Sequence, residues 1–180
     1  MADRLEKRAL DAARRVRSDH DPHGRIPVPV EPIAAKCGCV IARNRDPDSD
    51  ITSFAVVSAI GDRVIGVNTG QGVRSQRFGI AHALGHHQLH DREITVCRRI
   101  RALRRDPEGV EADFDMERQA TVFALELLLP ADAVMDAART YLAGRADADR
   151  DDLRLHLAGM FNVPQLAVAT RLVGLAILSP

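Results

Sequence analysis

The chain carries no net charge. Its 25 basic residues balance 25 acidic ones over 180 residues, so no global field draws it to nucleic acid or to an anionic membrane, and any such binding has to be local. Long apolar runs are also missing. Arg171 interrupts the carboxy-terminal stretch, and no segment reaches the roughly 18 residues that a membrane-spanning helix needs. The amino terminus, MADRLEKRALDAARRVR, is charged throughout and lacks the apolar core of a signal peptide. Cysteine is scarce. Cys37, Cys39 and Cys97 are an odd number without the spacing of a disulfide framework, which fits a reducing compartment and predicts a cytoplasmic protein. There is no internal repeat, and no low-complexity tract beyond the RADADRDD linker.

What is present is enough for a core. A hydrophobic content of 46% predicts one compact domain over residues 1–143, with residues 144–180 as a helical segment packed on it. Leu5, Ala9, Ala12 and Val16 recur at helical spacing and predict an amphipathic helix over 3–18. A proline-punctuated connector follows, then a short helix around Ile33 to Lys36 and a strand from Cys39 to Ala42. His20 and His23 lie in the connector and receive no role, since paired loop histidines are usually just solvated. SFAVVSA and RVIGVN are β-branched runs separated by Gly61 and Asp62, which predicts a hairpin over 53–68. Helices are expected over 74–90, over 114–129 up to Pro130, and over 131–142, 150–160 and 164–176.

The stretch RFGIAHALGHHQLH, residues 77–90, places His82 and His86 four apart. On a helix of about 100° per residue, the two imidazoles leave one face within about 6 Å of each other and can share one ion. Ala83 falls about 60° beyond His86, where a metallopeptidase would carry a glutamate over the reacting water. Taken alone, the pair reads equally well as two satisfied histidines on a half-buried helix. A third ligand decides between these readings, because catalytic zinc commonly takes three protein ligands and a water. Glu117 answers best. It shares a helix face with Ala120, Thr121 and Ala124, whose small side chains let two helices approach closely, whereas Glu126 is turned about 180° away. The competing reading of Glu117 is a solvated carboxylate near a helix start, favoured by the macrodipole. His90 also competes, but three ligands spread over about 12 Å of a straight helix cannot all reach one ion at about 2 Å. His87 points elsewhere and is expected to be solvated. Arg92 occupies the position where a metzincin needs its third histidine, which excludes that class.

At this point the chain resembles the ImmA/IrrE zinc metallo-endopeptidases. RSQRFGIAHALGHHQLH is similar to that family's R.RFTIAHELGHLLLH, and ERQATVFALELLLP to its E.EAN.FAAELLMP; ITSFAVV and VIGVN before the helix continue the likeness. The resemblance implies an α+β, zincin-like fold, with a small sheet preceding the histidine helix and a helical, helix-turn-helix-like carboxy-terminal part. It implies a zinc cofactor held by His82, His86 and Glu117, and a protein substrate of the helix-turn-helix repressor class. Three residues depart from the family pattern: Ala83 for the motif glutamate, and Gln119 and Thr121 for the glutamate and asparagine of EAN. Only the first attacks the chemistry. In such enzymes zinc lowers the pKa of water, while the glutamate takes the proton and later delivers it to the leaving amine. Alanine does neither, so impaired turnover with zinc binding retained is the expectation. Two origins fit Ala83, a replacement made to abolish turnover and an inherited loss in a pseudopeptidase that sequesters a repressor.

Between the two motifs, Arg98, Arg99, Arg101, Arg104 and Arg105 precede an acidic stretch. Their first reading is a solvated segment whose halves pair with each other; their second is a grip on an acidic substrate segment. A DNA-binding regulator is the competing class of function. Against it, residues 151–180 hold only Arg154 and Arg171 opposite Asp151 and Asp152, too little positive charge to track phosphates. The FNVP turn and the helix after it are therefore expected to pack rather than to bind DNA.

Overall fold

In a computed structural model, residues 2–90, 92–98, 111–143, 145 and 149–177 are described. Seven helices and four strands follow in the order α1 (Ala2–His20), α2 (Val30–Lys36), β1 (Cys39–Asn44), β2 (Ile51–Val57), β3 (Arg63–Asn68), α3 (Val73–Leu89), β4 (Ile94–Arg98), α4 (Glu111–Leu128), α5 (Ala131–Leu142), α6 (Arg150–Phe161) and α7 (Gln165–Gly174). The fold is α+β, as expected. The sheet runs β1-β3-β2-β4, with β1 parallel to β3 and the other two pairs antiparallel. The predicted hairpin is β2 and β3. One expectation needs correcting. The sheet does not simply precede the histidine helix, because β4 follows that helix and pairs with β2 as an edge strand.

Alternation along the strands decides what the sheet offers to the helices. Ser53 and Ala55 of β2, Ile65 and Val67 of β3, and Cys97 of β4 are buried, two residues apart on each strand that contributes a pair and therefore on one face. Helix α3 packs against that face and, on another side, against α4. Two glycines permit the close approach. At Gly79 an added Cβ would lie 3.1 Å from Ser53 Oγ, and the Ser53 hydroxyl donates to the Gly79 carbonyl at 3.0 Å. At Gly85 an added Cβ would meet Phe123 Cδ1 at 3.1 Å and the Ala120 backbone at 3.2 Å. Ile80, Leu84, Phe123 and Leu127 fill the space between these contacts and are essentially inaccessible to solvent.

Helix α1 covers α4 with Ala9, Ala12, Ala13 and Val16 and ties to it through ion pairs of Arg14 with Glu126 at 2.8 Å and of Arg118 with Glu6. The carboxy-terminal helices join the same hydrophobic cluster through Leu153, Leu157, Phe161, Val168 and Leu172. Asn162, in the left-handed region at φ 52°, ends α6, and Pro164 opens α7 with a φ it already favours. Arg171 is buried, donates to the Leu129 carbonyl at 2.8 Å and pairs with Glu126. Arg154 pairs with Asp151 at 2.5 Å. Among the described residues no helix is long and apolar enough to cross a membrane. The side chains of the basic run from Arg98 to Arg105 lie outside the described residues.

Candidate metal centre

The direction of each side chain on α3 follows from its rotation. Gly79 faces β2 and Gly85 faces α4; at about 100° per residue they lie about 120° apart. His86 and His82 fall between them, about 20° and 60° from Gly79 on the α4 side. They therefore emerge in the seam between the β4 edge of the sheet and α4. Ala83 lies on the other side of Gly79, toward the sheet, and is fully buried. His87 lies further round still. The expectation that it is solvated was wrong: it is buried and its Nε2 lies 3.1 Å from the Val64 carbonyl of β3. The sheet covers a side of the helix that spacing alone leaves open.

The seam brings the predicted residues together. His82 Nε2 and His86 Nε2 are 3.1 Å apart, and the Glu117 carboxylate reaches both, with Oε2 3.1 Å from His82 and Oε1 3.1 Å from His86. Both imidazoles are buried, while the Glu117 side chain is 43% exposed. Ligands about 2 Å from a tetrahedral ion lie about 3.3 Å from one another, so these three groups already stand at nearly the edge length of such a set. The two ring nitrogens face each other across the seam, and the carboxylate beside them favours positive charge between them. His82 shows this. Burial lowers its pKa, yet hydrogen bonds to Cys97 and Glu117 raise it to about 10. Burial likewise pushes the Glu117 carboxyl up, but His82 and His86 hold it down at about 2. A cation is what this donor set calls for.

Cys97 was not anticipated here. Sequence reasoning used it only to infer a compartment, but β4 places it opposite Ser53, and its Sγ, His82 and His86 offer ligand atoms all within 4.8 Å of one another. Burial raises the thiol pKa, and hydrogen bonds with the two histidines bring it down to about 7. The available signal was the β-branched triplet Ile94, Thr95 and Val96 just before it.

Outside the ligand atoms, each histidine has a second contact. Thr121 Oγ1 lies 3.5 Å from His82 Nδ1, and His90 Nδ1 lies 3.1 Å from His86 Nδ1. His90 is thus a neighbour of the centre. Burial, with the charges of His86 and Arg8, pushes its pKa down to about 4, so it is neutral and can accept from His86. His90 and Gln119 interact through their side chains, which opposes the lowering of the His90 pKa by burial. Glu126 is absent from the centre, as its rotation predicted, and serves the Arg14 and Arg171 ion pairs instead.

A family model described as the IrrE N-terminal-like domain, of the peptidase class, matches residues 34–173. The chain belongs to this peptidase family. The match spans α3, β4 and α4, the elements that meet at the seam. No curated protein matches the chain. As an IrrE N-terminal-like peptidase, the chain presents two buried histidines beside a thiol and a carboxylate, with Ala83 directly after the first histidine. An open depression of about 500 Å³ between α5 and α6, lined by Tyr141, Leu155, His156 and Met160, shares no residue with this cluster.

Proposed function

We propose that His82, His86 and Glu117 hold one zinc ion, and that the chain is an endopeptidase of this family whose turnover is impaired by Ala83. The observation that carries this reading is the mutual 3.1 Å spacing of the two Nε2 atoms and the carboxylate. Two imidazoles and one carboxylate form a donor set typical of catalytic zinc. When bound, zinc supplies a Lewis acid that polarises a peptide carbonyl and makes water acidic. His82 and His86 contribute their Nε2 lone pairs from one rigid helix, and Glu117 contributes charge from a second helix held close by Gly85. Nothing at position 83 takes up or returns a proton. General acid and base work contributes about 10² to 10⁴ in rate, and the methyl group of Ala83 supplies none of it.

The protein partner in this reading is a helix-turn-helix transcriptional repressor, met in the cytoplasm and held without being cut. Binding and turnover use different groups, so loss of the base leaves recognition intact. Residues 144–180 are read as a packing segment. Arg171 is engaged by Glu126 and Arg154 by Asp151, which argues against a DNA-binding regulator.

Metal analysis and a capture assay test the reading. Purified protein takes up one zinc per chain, Glu117→Ala binds it more weakly, and the repressor is retained intact. Absence of zinc uptake, or equal affinity in Glu117→Ala, overturns it.

A further inference from the structure

The three predicted ligands leave one corner of a tetrahedron, and in an open catalytic site that corner belongs to water. Beside the two histidines stands a thiol, the Cys97 Sγ, within 4.8 Å of a ring nitrogen of each. Cys97 is 1% exposed and lies on the inner face of the edge strand β4. Its position is fixed by the sheet rather than by a loop. Cys97 pairs in register with Ser53, and Ser53 is anchored to Gly79 of α3, one turn before His82. The thiol is thus tied to the same helix that carries the histidines.

We propose that Cys97 is a fourth protein ligand, so that the ion sits in a closed set of two imidazoles, one carboxylate and one thiolate. This rests on the zinc reading above and deepens it. The thiol gives its proton to buffer as the sulfur–metal bond forms, and the sulfur takes the corner that a reacting water would need. Mixed sulfur and nitrogen donors in a four-coordinate, fully protein-derived set are the mark of structural zinc rather than of catalytic zinc. The closed set and Ala83 then point the same way: the chain keeps the ion and has given up the water chemistry at two independent places. Burial agrees. Ala83, His86 and Cys97 are all nearly inaccessible, and Glu117 is the half-exposed member of the set.

Cobalt(II) replaces zinc as a visible probe. Loaded into the parent protein, it is expected to show a near-ultraviolet thiolate-to-cobalt charge-transfer band together with the intense visible bands of four-coordination. Cys97→Ser is expected to lose the charge-transfer band while still taking up cobalt, with affinity lowered at least about tenfold, since partners outside the ligand set already cost that much. Cys37→Ser keeps the band. Cys39 does not confuse the result, because it begins β1, and β1 and β4 are the two edges of the sheet, about 14 Å apart at the usual strand spacing; Cys37 lies just before it, at the end of α2. The parent spectrum decides even if Cys97→Ser does not fold. Cobalt uptake without a thiolate band overturns the role of Cys97 and leaves the three-ligand site standing. Failure of the parent to bind either cobalt or zinc overturns both.

Discussion

Gly85 of α3 lies against the backbone of Ala120 in α4, so close that an added Cβ would sit 3.2 Å from both the Ala120 Cα and its carbonyl oxygen. The backbone of a helix cannot yield as a side chain can. Gly85→Ala gains about 1 kcal/mol of helix propensity, but overpacking costs about 1–3 kcal/mol. The expected outcome is a net loss of up to about 2 kcal/mol, read by urea unfolding. Zinc affinity falls with it, because separating the helices withdraws Glu117 from His82 and His86.

Restoring a base at position 83 tests the impaired-peptidase reading. With water in the fourth place, Ala83→Glu is expected to raise cleavage of the repressor by about 10² or more without weakening zinc uptake; with Cys97 in that place, the rise is expected only when Cys97→Ser is added. If Cys97 also closes the site, the double variant Ala83→Glu with Cys97→Ser exceeds the single one. Should both variants bind zinc and repressor yet leave the repressor intact, other parts of the catalytic machinery are missing, and a pure pseudopeptidase is the better description.

The contacts behind the histidines carry unequal weight. His90 stands 3.1 Å from His86, and its removal in His90→Ala is expected to weaken zinc binding about 10- to 100-fold, the usual cost of losing a partner that orients a ligand. Thr121 is 3.5 Å from His82, at the limit of a hydrogen bond, so Thr121→Val costs less than about tenfold. Competition with a chromophoric chelator measures both. Equal effects would show that His90 does not orient His86.

Acid dependence follows from Glu117. Burial opposes its ionisation, but His82 and His86 hold its folded carboxyl at about 2, below the ordinary 4.5. A depressed carboxyl contributes stability that is fully present above its unfolded pKa and is lost as pH falls through the folded one. In metal-free protein, the stability difference between parent and Glu117→Gln is therefore expected to be constant just above pH 4.5 and to shrink toward pH 2. Denaturant unfolding at several pH values checks this; a difference that grows with acidity has the wrong sign.

Arg171 holds a buried negative charge. Arg171→Met leaves Glu126 with Arg14 alone, whose side chain is 59% exposed, and is expected to cost about 3 kcal/mol. Adding Glu126→Leu removes the stranded charge and recovers most of that loss. Thermal unfolding of the two variants measures it, and no recovery in the double variant would mean that the Leu129 carbonyl, not the ion pair, is what Arg171 secures.

Periodicity was a good guide wherever one element decides its own fate. Helices α3 and α4 and the β2–β3 hairpin follow from spacing, and the nearness of His82, His86 and Glu117 to one another follows from the rotation of residues on two helices. It failed where a second layer intervenes. His87 reads as solvated because a helix buried against both a sheet and another helix has no polar side to contrast with its apolar one. Strand β4 is only five residues long and runs into arginines, so its β-branched start did not register. Cys97 carries no ligand spacing relative to the histidines, and only the pairing of β4 with β2 brings it to them.

The core around α3 has a bearing on how the ion would come and go. Ile80, Leu84, Phe123 and Leu127 are buried in the core, and the β2–β4 ladder keeps its register from Val56 to Ser53, opposite Cys97, before it shifts at a bulge toward Ile51. A small zinc finger has no such core, and its folding waits for metal. With such a core, folding and metal loading are expected to be separable events, the ligands being delivered to the seam by packing rather than by the ion. Chelation should then empty the centre without unfolding the chain, and occupancy becomes a matter of exchange kinetics and of the free zinc level around it.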